Sequence, residues 1–215
     1  LENAVILFDY FKGTLPEFPA GKPLFIFASH FHADHYAPVI FQLGEKRENV
    51  FYILSKEIGK KIPEEYRKRY KDRIRLVKAG ERFCLNISEE SLIVETFHST
   101  DEGVAFWLSC EGKEIYHAGD LNNWWWEGED MAWNRNMAAS YKQEMKKLSG
   151  RTADLAFIPV DPRQEQWFYL GAAGFMEQAD AKWIFPMHFW EDYTIIPKLI
   201  EHPSSEGWRD RIVDL

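Results

Sequence analysis

The stretch Leu24-Phe25-Ile26-Phe27-Ala28-Ser29-His30-Phe31-His32-Ala33-Asp34-His35 runs from an apolar segment straight into three imidazoles and one carboxylate. The run Leu24–Ala28 reads as a buried strand. His30 and His32 are two residues apart, so on extended backbone they point the same way. Asp34 and His35 follow where the chain turns, and can be aimed at a second, adjacent position. Imidazole and carboxylate suit zinc and its first-row neighbours. The chain has 7 His in all, and the gathering of three here makes a chance surface cluster the poorer explanation.

Four more polar residues stand just past short apolar runs. His98 follows Leu92-Ile93-Val94-Glu95-Thr96-Phe97, and Asp120 ends Ile115-Tyr116-His117-Ala118-Gly119-Asp120. Asp161 follows Leu155-Ala156-Phe157-Ile158-Pro159-Val160, and His188 follows Trp183-Ile184-Phe185-Pro186-Met187. Strand ends on one edge of a sheet converge, so ligands scattered in sequence can meet there. His98 reads as a ligand first, with a strand-end histidine bonded to backbone as the alternative, and Asp161 fits equally a carboxylate supporting the site or donating a proton and a turn-forming Asp before Pro162.

Taken in order, Asp9 in Leu7-Phe8-Asp9, the His30–His35 motif, His98, His117-Ala118-Gly119-Asp120 and His188 resemble the metallo-β-lactamase fold superfamily of metal-dependent hydrolases. The resemblance spans nearly the whole chain and is closest to the small single-domain branch of sugar-phosphate lactonase relatives. It implies an α/β fold, a four-layer αββα sandwich, formed by one domain over residues 1–215. It implies one metal on His30, His32 and His98, a second on Asp34, His35 and His188, and Asp120 bridging them. Asp9 would support the site from behind. The chain starts at Leu1 without an initiator Met, and the resemblance implies a further strand upstream, beside Val5–Phe8.

The chemistry so implied is hydrolysis by water activated on one or two divalent ions, zinc first, with manganese or iron as alternatives. Asp34 and Asp120 are the candidate catalytic carboxylates, Asp34 also as the group that orients water or moves its proton. No Gly-x-Ser-x-Gly nucleophile motif is present. The expected substrate is a small ester, lactone, amide or phosphoester. Competing readings are a nucleic-acid-processing phosphodiesterase, a diiron redox protein and a non-catalytic metal-binding relative.

Composition narrows the field. A length of 215 residues suits one substantial core. The net charge of −8 opposes nucleic-acid binding, and the basic stretch Arg67-Lys68-Arg69-Tyr70-Lys71-Asp72-Arg73 reads as a solvated helix face. No apolar run approaches membrane-span length. Cys84 and Cys110 read as two buried thiols in a reducing, cytoplasmic setting.

The run Asp120-Leu121-Asn122-Asn123-Trp124-Trp125-Trp126 begins at the candidate bridging ligand. Three successive indoles cannot all enter one core, so at least one is expected to line the pocket or a contact between copies of the chain. The alternative is packing under the following helix. Arg163 reads as an exposed loop residue, with contact to an anionic substrate as the alternative, His117 as a neighbour of the metal ligands, and His202 as exposed and without a role.

Periodicity predicts strands at Val5–Phe8, Leu24–Ala28, Val50–Leu54, Ile74–Val77, Ser91–Phe97, Val104–Cys110, Glu114–Ala118, Leu155–Val160 and Trp183–Phe185. Helices are expected at Ala37–Leu43, Glu64–Tyr70, Glu129–Leu148 and Gly171–Ala179. Glu111-Gly112-Lys113 should close a hairpin.

Overall fold

Two sheets take up the apolar runs, and a computed structural model describes residues 1–87 and 90–215. The first sheet holds β1 (Val5–Phe8), β2 (Leu24–Ala28), β3 (Val50–Ser55) and β4 (Ile74–Val77), parallel throughout and in that order. The second holds β5 (Arg82–Ile87), β6 (Glu90–His98), β7 (Val104–Cys110), β8 (Lys113–His117), β9 (Thr152–Pro159) and β10 (Asp180–Met187), in the order β10-β9-β8-β7-β6-β5. Helices α1 (Ile40–Glu45) and α2 (Glu64–Arg69) connect strands of the first sheet. Helices α3 (Met131–Lys146), α4 (Leu170–Gln178) and α5 (Ile195–Glu201) belong to the second half.

Strand alternation sorts each run between two cores. Phe25 and Phe27 of β2 meet Val94, Phe106 and Leu108 of the second sheet. Their neighbours Leu24, Ile26 and Ala28 point the other way and pack with Ile40, Phe41 and Tyr70. In β7, Ala105 and Trp107 face Tyr141, Met145 and Phe175 of α3 and α4. Covered on both faces, these strands read as unbroken apolar runs. Each fully buried Phe stabilises the fold by about 1.5–3 kcal/mol. The result is helices, sheet, sheet, helices: the αββα sandwich.

The β7–β8 hairpin turns on Glu111 (φ +53°) and Gly112 (φ +66°), the doubly left-handed geometry that matches strand twist. Asp130 caps α3 by accepting from the Ala132 backbone N–H at 2.7 Å. The helix begins two residues later than its apolar spacing predicts. β5 and α5 lie outside the sequence expectation. β5 is a sheet edge in which exposed Arg82 and Cys84 alternate with half-buried Phe83 and Leu85. That alternation puts the Cys84 side chain outside, so only Cys110 is buried as expected. α2 has no buried residue, in keeping with a solvated basic face. Among the described residues no helix is long and apolar enough to cross a membrane.

Candidate metal centre

Asp9 and Ser29 form the frame of the site. Asp9 ends β1 with φ +43°. Its carboxylate accepts from the Ser29 backbone N–H and from Ser29 Oγ, both at 2.7 Å. It also accepts from His35 Nδ1 at 2.7 Å. Just past β2, the backbone N–H groups of His35 and Tyr36 both donate to the His32 carbonyl, at 3.0 and 2.9 Å. This tight turn reverses the chain and brings Asp34 and His35 beside His30, with the His35 and His30 ring centroids 4.1 Å apart.

Two glycines let the other loops reach the same point. A Cβ on Gly103 (φ +73°) would lie 2.0 Å from the Ser29 carbonyl oxygen. One on Gly119 (φ +52°) would lie 2.6 Å from Ser29 Cβ. Only glycine tolerates both the left-handed backbone and the close approach. The Val104 N–H donates to Ser29 O at 3.0 Å and fixes the contact.

The side chains gather in two groups, His30, His32, Asp101 and Asp120, and Asp34, His35 and His188. Within each group one ligand atom per residue lies within 4.8 Å of the others. Asp120 joins them. Its Oδ2 is 3.3 Å from His30 Nε2, and its Oδ1 is 3.1 Å from His35 Nε2 and 3.6 Å from His188 Nε2. Asp34 Oδ2 is 3.4 Å from Nε2 of both His35 and His188.

The outer atoms of two imidazoles are already engaged. His35 Nδ1 donates to Asp9, and His188 Nδ1 donates to Asp161 Oδ2 at 2.9 Å. That leaves both Nε2 lone pairs toward the centre, the arrangement of metal-binding histidines with a carboxylate behind them. His35 Nε2 and Asp120 Oδ1 are buried and have no hydrogen-bond partner among the described residues. Buried polar atoms left so are costly. A cation between them satisfies both, so these residues fit a divalent metal.

The electrostatics agree. Burial disfavours charge on Asp120, yet His30 and His35 hold its carboxyl well below the usual range. Burial likewise opposes a charged Asp34, and the close imidazoles of His188 and His35 outweigh it. For His35 burial works against the cation, but Asp9, Asp120 and Asp34 push its pKa up to about 12. The His188 value rises to about 9 against burial, chiefly through Asp161 and Asp34. Burial takes His117 the other way, down to about 4. The carboxylates demand positive charge at the centre.

One ligand expected from the sequence is displaced. His98 is exposed and in neither group. Its ring borders a groove with Lys56, Lys60 and Lys78, and its backbone N–H donates to Glu144 Oε2 at 3.2 Å. His98 is still paired in the sheet, opposite Val104. The turn beyond it reaches further, and Asp101 stands with Oδ2 3.9 Å from His32 Nδ1. The signal for Asp101 was the polar turn Ser99-Thr100-Asp101-Glu102-Gly103, whose tip and not its first residue faces the motif.

The flanking residues divide similarly. Asp161 is fully buried and binds both His188 and Arg163. His117 is buried, 3.8 Å from Asp9 through Nε2, and stacked on Phe8. Trp124 donates through Nε1 to the Asp120 carbonyl at 3.0 Å, contacts the His188 ring and stacks on Trp126. Trp124 and Trp126 line a cleft beside the candidate metal ligands, while Trp125 turns to Trp167. His202 is half-buried and not exposed as expected, because its ring stacks on Tyr169 at 4.0 Å and its Nδ1 accepts from the Ser204 N–H.

Two sheets back to back between helices, with His-x-His-x-Asp-His just past an inner strand and an Asp loop from the facing sheet, decide the architecture. This is the metallo-β-lactamase fold. No family model and no curated protein matches the sequence. Solved structures do match. The diiron β-hydroxylase CmlA of Streptomyces venezuelae is 13% identical with a TM-score of 0.52, covering 88% of this chain and 43% of its own. Zn(2+)-bound PqqB of Methylobacterium extorquens is 11% identical, TM-score 0.46, with 82% and 66% covered. The metallo-β-lactamase fold protein YhfI of Bacillus subtilis is 9% identical, TM-score 0.45, with 87% and 72% covered. The chain thus spans less than half the length of the hydroxylase, whose 13% identity speaks for the fold alone.

Proposed function

We propose that this metallo-β-lactamase-fold chain is a metal-dependent hydrolase of a small ester, lactone, amide or phosphoester. The observation that carries the reading is Asp120, whose two oxygens face the two ligand groups separately. His30, His32, Asp101 and one Asp120 oxygen would hold one ion. Asp34, His35, His188 and the other oxygen would hold a second. Bound there, a divalent ion supplies a water of near-neutral pKa and a Lewis acid for the scissile carbonyl or phosphoryl. Zinc is the first candidate, with manganese and iron next.

The chain's own residues supply the rest. Asp34 is a quarter exposed and lines the cleft, so its carboxylate can orient the attacking water and pass its proton to the leaving group. Asp9 and Asp161 hold the rings of His35 and His188. Trp124 and Trp126 wall the cleft and restrict bulk water. We assign the activity to a single domain acting on a small molecule in the cytoplasm, alone or as a homo-oligomer. The net charge of −8 disfavours a nucleic-acid substrate.

A second reading has one observation behind it. With Asp101 in place of a third imidazole, the first group is two His and two Asp, an oxygen-rich set that suits iron and manganese as well as zinc. Oxidation at a diiron site is therefore the competing chemistry.

Elemental analysis of protein purified without added metal, joined to an ester, lactone and phosphodiester screen, tests both. Bound zinc or manganese with turnover in the screen is the expected result. Asp120→Ala should lose metal and turnover, and His202→Ala should keep both. Full metal loading with no hydrolysis across the panel overturns the hydrolase.

A further inference from the structure

The cleft beside the metal centre has a volume of about 320 Å³, and Trp124, Trp126, Trp133, Met137, Trp190 and Arg163 form much of its wall. Arg163 is its one permanently charged cation among the described residues. It is held side-on. Nε donates to both oxygens of Asp161 at 2.9 and 3.0 Å, and Nη2 donates to Oδ2 at 2.5 Å. The same carboxylate accepts from the Arg163 backbone N–H at 2.9 Å, so turn and side chain are fixed together.

The guanidinium carbon lies 4.5 Å from the ring centroid of Trp190 and 5.8 Å from that of Trp126. Nη1 has no hydrogen bond among the described residues, and the side chain is 52% exposed. An arginine whose other edge is bound and whose face is stacked has lost little further freedom when an oxyanion arrives, so binding there is preorganised. Beside it, Trp133 and Trp190 leave large indole faces in solvent. Planar apolar surface next to a fixed fork of N–H donors suits a ligand with the complementary layout.

We propose that the cleft takes an anionic substrate with a flat body: a carboxylate or phosphate on the free Nη1 side of Arg163, the body against the indoles of Trp126, Trp133 and Trp190, and the labile bond toward Asp34 and Asp120. The last element rests on the hydrolase reading; the binding does not. Arg163 acts here as a specificity residue, and the aromatic wall sets the size and flatness of what it admits.

Calorimetric titration of the metal-loaded protein tests this with three probes: indole-3-acetate, phenyl phosphate and the neutral indole-3-acetamide. Wild-type protein should bind at least one of the two anions about tenfold more tightly than the amide. Whichever anion it is names the carboxylate or the phosphate as the natural group. Arg163→Gln should reduce that preference to what the metals alone give while the amide's Kd stays constant, and Arg163→Lys, which keeps charge but not the fork, should lose part of it. The metals' own pull on anions cancels in the comparison between proteins. If wild type shows no preference for either anion, or if both variants keep the wild-type preference at equal metal content, the proposal is overturned. Should Arg163→Gln fold poorly, the Arg163→Lys comparison alone decides it. Calorimetry reads binding without turnover. A protein that binds anions through Arg163 and hydrolyses nothing refutes the hydrolase and not this site.

Discussion

Nδ1 of His188 lies 2.9 Å from Oδ2 of Asp161, which is fully buried and also carries the Arg163 guanidinium. One carboxylate thereby sets the tautomer of a candidate ligand and the position of the cation across the cleft. His188 itself sits at φ +64°, a left-handed conformation that costs a non-glycine residue energy and is kept where surrounding contacts enforce it.

Asp161→Ala should therefore weaken metal binding without touching a ligand. Loss of the carboxylate behind a metal-binding histidine typically costs about 10–100-fold in affinity. Chelator competition against wild type would show it. An unchanged affinity would mean that His188 is positioned by its backbone alone.

Asp101 and His98 make opposite predictions. Asp101→Ala should lower metal occupancy of the first group by at least about tenfold in affinity, the low end for even an indirect partner. His98→Ala should leave metal content at the wild-type level, because its ring lies in a separate groove with Lys56 and Lys60. Metal analysis of the two variants side by side settles which residue binds; the reverse result would restore His98.

Gly103→Ala should destabilise the fold and disorder the site at once. The left-handed backbone alone costs about 1–3 kcal/mol for a residue with a side chain, and the new methyl would meet the Ser29 carbonyl oxygen. A lower Tm together with lower metal content is expected. Wild-type Tm would show that the β6–β7 turn can move off Ser29 freely.

Away from the candidate metal centre, Asp154 contributes to the pH dependence of stability. Asp154 accepts from Lys182 Nζ at 2.7 Å and from the Glu114 backbone N–H at 2.9 Å, and these bonds hold its carboxyl below the usual carboxylate range. A depressed folded-state pKa adds stability that is present in full above the unfolded value. It is lost as pH falls from there through the folded value. Asp154→Asn should flatten the acid limb of a stability-against-pH curve below about pH 4 and shift neutral-pH stability downward. An acid limb identical to wild type would remove Asp154 from the account.

Much of this protein is set by local sequence. The apolar runs specify strands because side-chain alternation and burial on both faces are short-range properties, and Leu24–Ala28 has the same bounds in sequence and structure. His30, His32, Asp34 and His35 come together because a strand end and one tight turn suffice. Asp120 and His188 could be named because each follows an apolar run. The placement of Asp101 rather than His98 beside His32 was different. It depends on how far the β6–β7 turn leans, which Gly103 decides by pressing against Ser29, a residue over seventy positions away and just past β2 of the facing sheet. The same holds in part for Arg163, an ordinary loop residue in sequence: Asp161 two residues back binds its edge, but Trp126 and Trp190 reach its face from two distant segments. The Trp124–Trp126 run shows both sides. Composition required that the three indoles part company, but which of them met the cleft was decided by the bond from Trp124 to the Asp120 carbonyl and the packing of Trp125 on Trp167. Residue type and spacing determine what chemistry a chain can perform. Close approach between distant segments, set by sterics that no local window contains, determines which residues perform it.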